Sequence, residues 1–250
     1  MLRSRVIPSL LIDDGDLVKS TNFSNDIYIG DPMNAVRIFN EKSVDELSIF
    51  DISATVSERE LDMTLLVDIA KAARMPLCYG GGLYDAEQAV DLVKAGFEKI
   101  SISSAAIKNP NILEEMAGRI GAQSVVLCLD ISEDSESKDG YSVYTHRASQ
   151  KTNLDLGSAL KLASDASVGE LIINSIDKDG TMLGYDLSLA NQVMANTKCP
   201  VTFLGGAGNS SHIVDLIEIT GTVGAAAGSM FVFKGINKAV LISYEKPQGN

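Results

Sequence analysis

The sequence predicts a single α/β domain, a (β/α)8 TIM barrel made of two duplicated half-barrels, on three observations. Short β-branched runs alternate with amphipathic helical stretches almost from end to end, the pattern of parallel strands buried on both faces and joined by helical crossovers. The chain also repeats itself. ValAspGluLeuSerIlePheAsp at residues 44–51 returns as ValGlyGluLeuIleIleAsn at 168–174, and the glycine step at 80–82 returns at 205–208; Glu46 with Glu170, and Gly82 with Gly206, are both 124 positions apart. That spacing is half the chain, as a barrel of two equal parts requires, with halves at about 1–122 and 123–241 and a short polar tail. A doubly wound open sheet would fit the alternation but gives no reason for the duplication.

The eight strands are expected at residues 6–11, 46–50, 77–79, 99–101, 125–129, 170–174, 201–204 and 224–227. Between them, Asp31 and Pro32 open a helix with Ala35, Ile38 and Phe39 on its apolar face. Asp85, with Gln88 three positions later, forms a capping box before Ala89, Val90 and Val93, and Gly96 stops that helix. Asn109 and Pro110 precede Ile112, Leu113 and Met116, and Asp186 precedes Leu189, Val193 and Met194. Two polar segments interrupt the alternation, at 22–30 after strand one and at 132–153 after strand five. In the second, Asp139 and Gly140 before TyrSerValTyrThr predict a hairpin. Both follow the carboxyl ends of strands, the face on which such barrels build their sites, so both are expected to cover one.

Bulk properties narrow the function. A formal charge of -12 argues against nucleic-acid or anionic-membrane binding, so an anionic ligand must be held locally. Cys78, Cys128 and Cys199 sit singly in apolar runs without metal or redox spacing, and are expected to be buried bystanders. His146 and His212 are too few for a metal site or a Ser/His/Asp triad, and no cofactor is implied. No apolar run reaches the roughly 18 residues of a membrane span, and the first residues lack a long apolar core, so cytoplasmic residence is expected.

The glycines are expected to hold phosphate. Gly81 and Gly82 after strand three, with Ser103 and Ser104 after strand four, form one candidate cradle; Gly205 and Gly206 after strand seven, with Gly228 and Ser229 after strand eight, form its duplicate. Glycine lets backbone N–H groups approach oxygens closely. Two cradles imply a ligand with a phosphate at each end, and Asp179 and Gly180, after strand six, belong to the rim of the second. Any one glycine alone could equally be turning a tight corner.

These segments resemble the HisF-like cyclase subunit of imidazole glycerol phosphate synthase over essentially the whole chain. The likeness rests on ArgValIlePro (5–8), ValLysSerThrAsnPhe (18–23), GlyAspPro (30–32), GlyGlyGly (80–82), SerIleAspLysAspGlyThr (175–181) and GlyGlyAlaGly (205–208). The resemblance implies a class I glutaminase bound at the amino-terminal face as a heterodimer and a ring of charges admitting ammonia, here Arg5, Glu46, Lys99 and Glu170. It also implies a carboxyl-terminal site for a phosphorylated ligand, in which two aspartates closing strands one and five act as general acid and base. Asp130 matches the second, and Lys19, Asp51 and Asn174 fall on the same face. Leu11 stands where the first aspartate is expected, and leucine cannot move a proton. Asp13 lies two residues further along, roughly 6.6 Å away on a strand. Ser103 and Ser104 also replace the asparagine and threonine usual in the family, and no long final helix is foreseen.

A kept charge ring with a missing carboxylate looks like the HisF-like proteins of surface-polysaccharide pathways, in which ammonia goes to a separate amidotransferase that converts an acetamido sugar to an acetamidino sugar. Three other readings stay open: a histidine-pathway cyclase in which Asp13 or a water stands in, a scaffold that only activates a glutaminase, and an unrelated phosphosugar isomerase. Four ordinary capping charges at strand ends are the plain alternative to the ring.

Overall fold

A computed structural model describes residues 3–235 and 237–245 of the chain. Its core is a closed barrel of eight parallel strands. In chain order the elements are β1 (Arg5–Asp13), β2 (Asp16–Thr21), β3 (Ser24–Gly30), α1 (Pro32–Lys42), β4 (Leu47–Asp51), α2 (Met63–Ala72), β5 (Leu77–Gly80), α3 (Ala86–Ala95) and β6 (Lys99–Ile102). There follow α4 (Ser104–Lys108), α5 (Asn111–Ile120), β7 (Val125–Glu133), β8 (Tyr141–Thr145), β9 (Gln150–Asp155), α6 (Leu156–Asp165), β10 (Glu170–Ser175), α7 (Leu187–Asn196) and β11 (Val201–Leu204). The last are α8 (Ser210–Thr220), β12 (Gly224–Ala227), α9 (Ser229–Val232), β13 (Phe233–Lys234) and β14 (Ala239–Val240). Around the barrel the order is β1, β4, β5, β6, β7, β10, β11, β12, and β12 pairs back to β1.

Two apolar layers hold it together. The outer one lies between strands and helices and includes Val6, Leu10, Phe39, Ile49, Ile100, Leu127, Leu171 and Phe203. The inner one fills the barrel with Ile7, Cys78, Val126, Cys128, Ile172, Leu204 and Ala226, with Phe50 packed against them. Alternation along each strand separates the two, since successive side chains point to opposite faces.

Each expected strand is present, and several run further toward their carboxyl ends. β1 continues through Asp13 because β2 pairs with its outer end, antiparallel, and β7 continues through Glu133 because β8 does the same there. The segment 22–30, expected as a polar loop, contains β3, whose side chains are largely exposed and so show no alternation. The hairpin expected after strand five is β8 and β9. The capping box of α3 forms with Asp85 and Gln88, but the buried face is Ala86, Ala89 and Leu92, leaving Val93 exposed; in α1, Val36 is buried where Ile38 was expected. Among the described residues the last elements form the β13–β14 ribbon. Residues 246–250 of the expected polar tail lie outside the described residues. No helix among the described residues is long and apolar enough to cross a membrane.

Candidate functional site

The amino-terminal end of the barrel is closed by four charges that the sequence scatters over 165 positions. Arg5 opens β1, Glu46 immediately precedes β4, Lys99 opens β6 and Glu170 opens β10. Arg5 pairs with Glu46 and, at 2.7 Å, with Glu170; Lys99 Nζ lies 2.7 Å from each glutamate, so the four form an unbroken ring. The Thr202 hydroxyl donates to Glu170. Burial alone would raise the Glu170 carboxyl, but Lys99 and Arg5 outweigh it and hold it below the usual glutamate range. Burial likewise works against the charge on Lys99, and the two glutamates overcome it and raise the ammonium. The two cations and Glu170 thus favour one another's charged forms, as a buried set must if its desolvation is to be offset.

At the opposite end the strand termini and loops enclose a cavity of about 140 Å³. Of the residues expected on this face, Leu11, Lys19, Asp51, Gly81, Gly82, Ser103, Ser104, Asp130, Asn174 and Asp179 line it. Gly180, Gly205, Gly206, Gly228 and Ser229 do not. Asp13 sits at the β1–β2 turn opposite Asp16, off the cavity wall.

Asp130 on β7 and Asn174 on β10 are register partners, and the Asn174 amide donates to Asp130 Oδ1 at 2.9 Å. Burial pushes the Asp130 carboxyl up to about 7, against the lowering effect of that hydrogen bond and with a further push from Asp179. A carboxyl titrating there can give or take a proton near neutral pH. Leu11, 9 % exposed, contributes only hydrocarbon to the same wall, together with Phe50, Cys128 and Leu204. Asp51, by contrast, is tied into its own loop, mostly through Oδ1. Its carboxylate accepts the N–H groups of Ser53 and Ala54 and two contacts from Arg59 Nη2 at 3.1 and 3.0 Å, while Arg59 Nη1 reaches Asp14. That network braces the loop after β4 and leaves Asp51 little capacity for chemistry.

The two glycine cradles differ in access. Gly81 and Gly82, with φ of +114° and +69°, turn the chain against Asp51 and Ala54; a Cβ on Gly81 would lie 2.1 Å from the Asp51 carbonyl oxygen. Seven buried side-chain polar atoms lack a partner among the described residues, and four of them line this cavity: Ser9 Oγ, Ser101 Oγ, Ser103 Oγ and Asn174 Oδ1. Leaving such groups unpaired costs roughly 1–3 kcal/mol each, so their concentration around one cavity marks a place prepared for a polar ligand or water. The second cradle is buried. The Gly206 carbonyl accepts from Gly184 N–H at 2.8 Å, and Gly180 packs on the backbone of Ser20 and Thr21. Lys19, 4 % exposed, places Nζ 3.7 Å from Asp179 Oδ1 and beside Gly228.

Sequence reasoning missed several wall residues. Ser9 and Ser101 carry no motif and are found only by their inward register. Arg147 and Phe23 belong to loops whose folding depends on distant partners. His146, noted only as a loop residue, also lines the cavity.

Comparison with known proteins bears on this arrangement. Residues 5–237 match the family described as "Histidine biosynthesis protein". The chain is 47% identical over 98% of its length, and 96% of the relative's, to a Leptospira borgpetersenii protein provisionally named imidazole glycerol phosphate synthase subunit HisF. It is 46% identical to a provisionally named HisF paralogue of Vibrio vulnificus, over 99% of this chain and 95% of that one. To the imidazole glycerol phosphate synthase subunit HisF of Streptococcus mutans it is 36% identical, over 96% and 94%.

Proposed function

The chain belongs to the histidine biosynthesis protein family as a HisF-like synthase subunit, and from that premise we propose that it receives ammonia from a class I glutaminase docked beneath the charge ring, passes it through the barrel, and releases it for amidation of a sugar in surface-polysaccharide biosynthesis. The observation that carries this reading is the pairing of a complete ring, Arg5, Glu46, Lys99 and Glu170, with an upper cavity in which Leu11 replaces one of the two expected carboxylates. Physical chemistry supports the direction of transit. The inner apolar cluster above the ring admits neutral ammonia, whereas an ammonium ion would have to shed its water without a partner. A Lys99 side chain swinging off its two glutamates would open the floor without moving any strand. The relatives of 47% and 46% identity carry a provisional assignment, and relatives named without reservation share 34–37%, consistent with a separate branch. In this reading ammonia leaves toward a separate sugar amidotransferase, and the first cradle holds a phosphorylated ligand.

The test is reconstitution with a class I glutaminase. Complex formation and raised glutamine hydrolysis are expected, and Lys99→Ala should alter nitrogen transfer more than hydrolysis. Equal loss of both, or no complex, would remove the channel assignment. A histidine-pathway cyclase is the second reading, favoured by the retained Asp130 with its carboxyl near 7. Growth of a cyclase-deficient strain without histidine would establish it.

A further inference from the structure

The hairpins that follow β1 and β7 meet at their tips over the upper cavity. Both tips are left-handed at residues other than glycine: Asn22, Phe23 and Asn25 have φ of +49°, +60° and +54°, and His146, Arg147 and Ala148 have +51°, +55° and +61°. Positive φ at two successive residues is the geometry of tight hairpin turns, and the two turns also touch each other. Here Arg147 supplies the contact. Its Nη2 donates to both oxygens of Asp26, at 2.8 and 2.7 Å, and to the Phe23 carbonyl at 3.4 Å.

That accounts for one nitrogen of a group with five N–H donors. Nη1 and Nε have no acceptor among the described residues, yet Arg147 lines the cavity whereas Asp26 does not. Lys19 on the same wall is already matched by Asp179, and Asp51 is held by Arg59. Arg147 is thus a cation facing the cavity with donors to spare, its charge balanced from outside the wall. The same cavity is lined by the buried hydroxyls of Ser101, 2 % exposed, and Ser103, both without partners among the described residues.

We propose that Arg147 recognises the anionic group of a phosphate-bearing ligand in the upper cavity, and that Asp26 restrains it by competing for the same guanidinium. This rests on the phosphate reading of the first cradle and adds to it the residue that would register occupancy. Because the guanidinium also ties the hairpins together, an anion that draws it inward loosens the Asp26 contact and couples ligand binding to the cover of the site. Guanidinium contacts to phosphate are charge-assisted and stronger than neutral hydrogen bonds, so the exchange has a driving force.

The two residues have opposite expected effects, which separates recognition from bracing. With inorganic phosphate as the probe and isothermal titration as the readout, Arg147→Gln should weaken binding about tenfold, and Arg147→Lys should restore part of it. Asp26→Asn should tighten binding about threefold, and should have no effect in the Arg147→Gln background. If Arg147 were only a loop brace, both single variants would weaken binding alike or leave it unchanged, and the proposal would fall while the cradle stood. If the unaltered protein and all variants bind no phosphate, the cradle reading falls together with it.

Discussion

Gly81 and Gly82, after β5, open onto the upper cavity beside Ser103 and Ser104, whereas Gly205 and Gly206, after β11, lie buried beneath the 177–184 turn with Gly228 and Ser229. The two steps share glycines and spacing. They differ in what the rest of the chain lays over them. The β2–β3 hairpin crosses toward the second cradle, where Asn22 N–H donates to the Asp179 carbonyl at 3.0 Å and Lys19 fills the space beside Gly228. Among the described residues no comparable lysine covers the first. The same inequality holds between β1 and β7, which present Leu11 and Asp130 respectively to the cavity. Equal backbones thus support one polar wall and one sealed wall, and the chemistry follows the covering side chains.

The largest effect concerns the single acid. An unfolded aspartate titrates near 3.9, and in the folded protein Asp130 titrates at about 7. Between those values the native state keeps a proton that the unfolded chain has lost, so folding stability should fall as pH rises from about 4 to about 7 and level off above. Three units correspond to at most about 4 kcal/mol. Asp130→Asn keeps the acceptor for Asn174 and removes the titration. Its urea midpoint should match that of the unaltered protein near pH 4 and exceed it at pH 8; parallel pH dependences would show that Asp130 carries no such shift.

Leu11 offers the next test of the inequality. If a missing proton-transfer group is why the barrel is not a competent cyclase, turnover with ammonia and the bis-phosphate ribonucleotide should lie at least about 10²-fold below that of a relative with both carboxylates, a deficit near 2.7 kcal/mol. Leu11→Asp should recover part of it. Recovery would be incomplete, because Ser103 and Ser104 also stand where asparagine and threonine are usual in the family. Near-normal turnover in the unaltered protein, abolished by Asp130→Asn, would mean that Leu11 is tolerated and would put the cyclase reading first.

The barrel was legible because parallel strands buried on both faces read as apolar runs, and because the repeat at 124 positions has no other simple explanation. Helix faces were read less well: Val93 was placed inside α3 and is exposed, since an apolar residue beside a stripe costs little at the surface. At the ring, each residue was named through the family resemblance, but the mutual 2.7 Å contacts came only with closure of the barrel. The sealing of the second cradle was not legible at all. It depends on Lys19 meeting Asp179 across 160 positions and on β3, whose exposed residues give no periodic signal. Arg147 was invisible for the same reason, because its partner Asp26 lies in the other hairpin.

The smallest expected effect compares the cradles directly. A ligand that binds only the native state adds RT ln(1 + [L]/Kd), so phosphate at ten times its Kd should contribute about 1.4 kcal/mol, roughly 3–6 °C in a chain of this size. Ser103 Oγ, buried without a partner on the open wall, is the hydroxyl placed to meet that anion. Losing a hydrogen bond to a charged group costs about 1.5 kcal/mol or more, which raises Kd about tenfold and shrinks the shift to about 1–2 °C. Ser103→Ala should therefore abolish most of the phosphate-induced rise in Tm, while Ser229→Ala, in the covered cradle, should leave the rise intact even if it lowers the starting Tm. Scanning calorimetry with and without phosphate reads both. Equal loss in the two variants would mean that the β2–β3 hairpin withdraws to admit an anion on the second side, and the two cradles would then differ in the cost of opening rather than in what they bind.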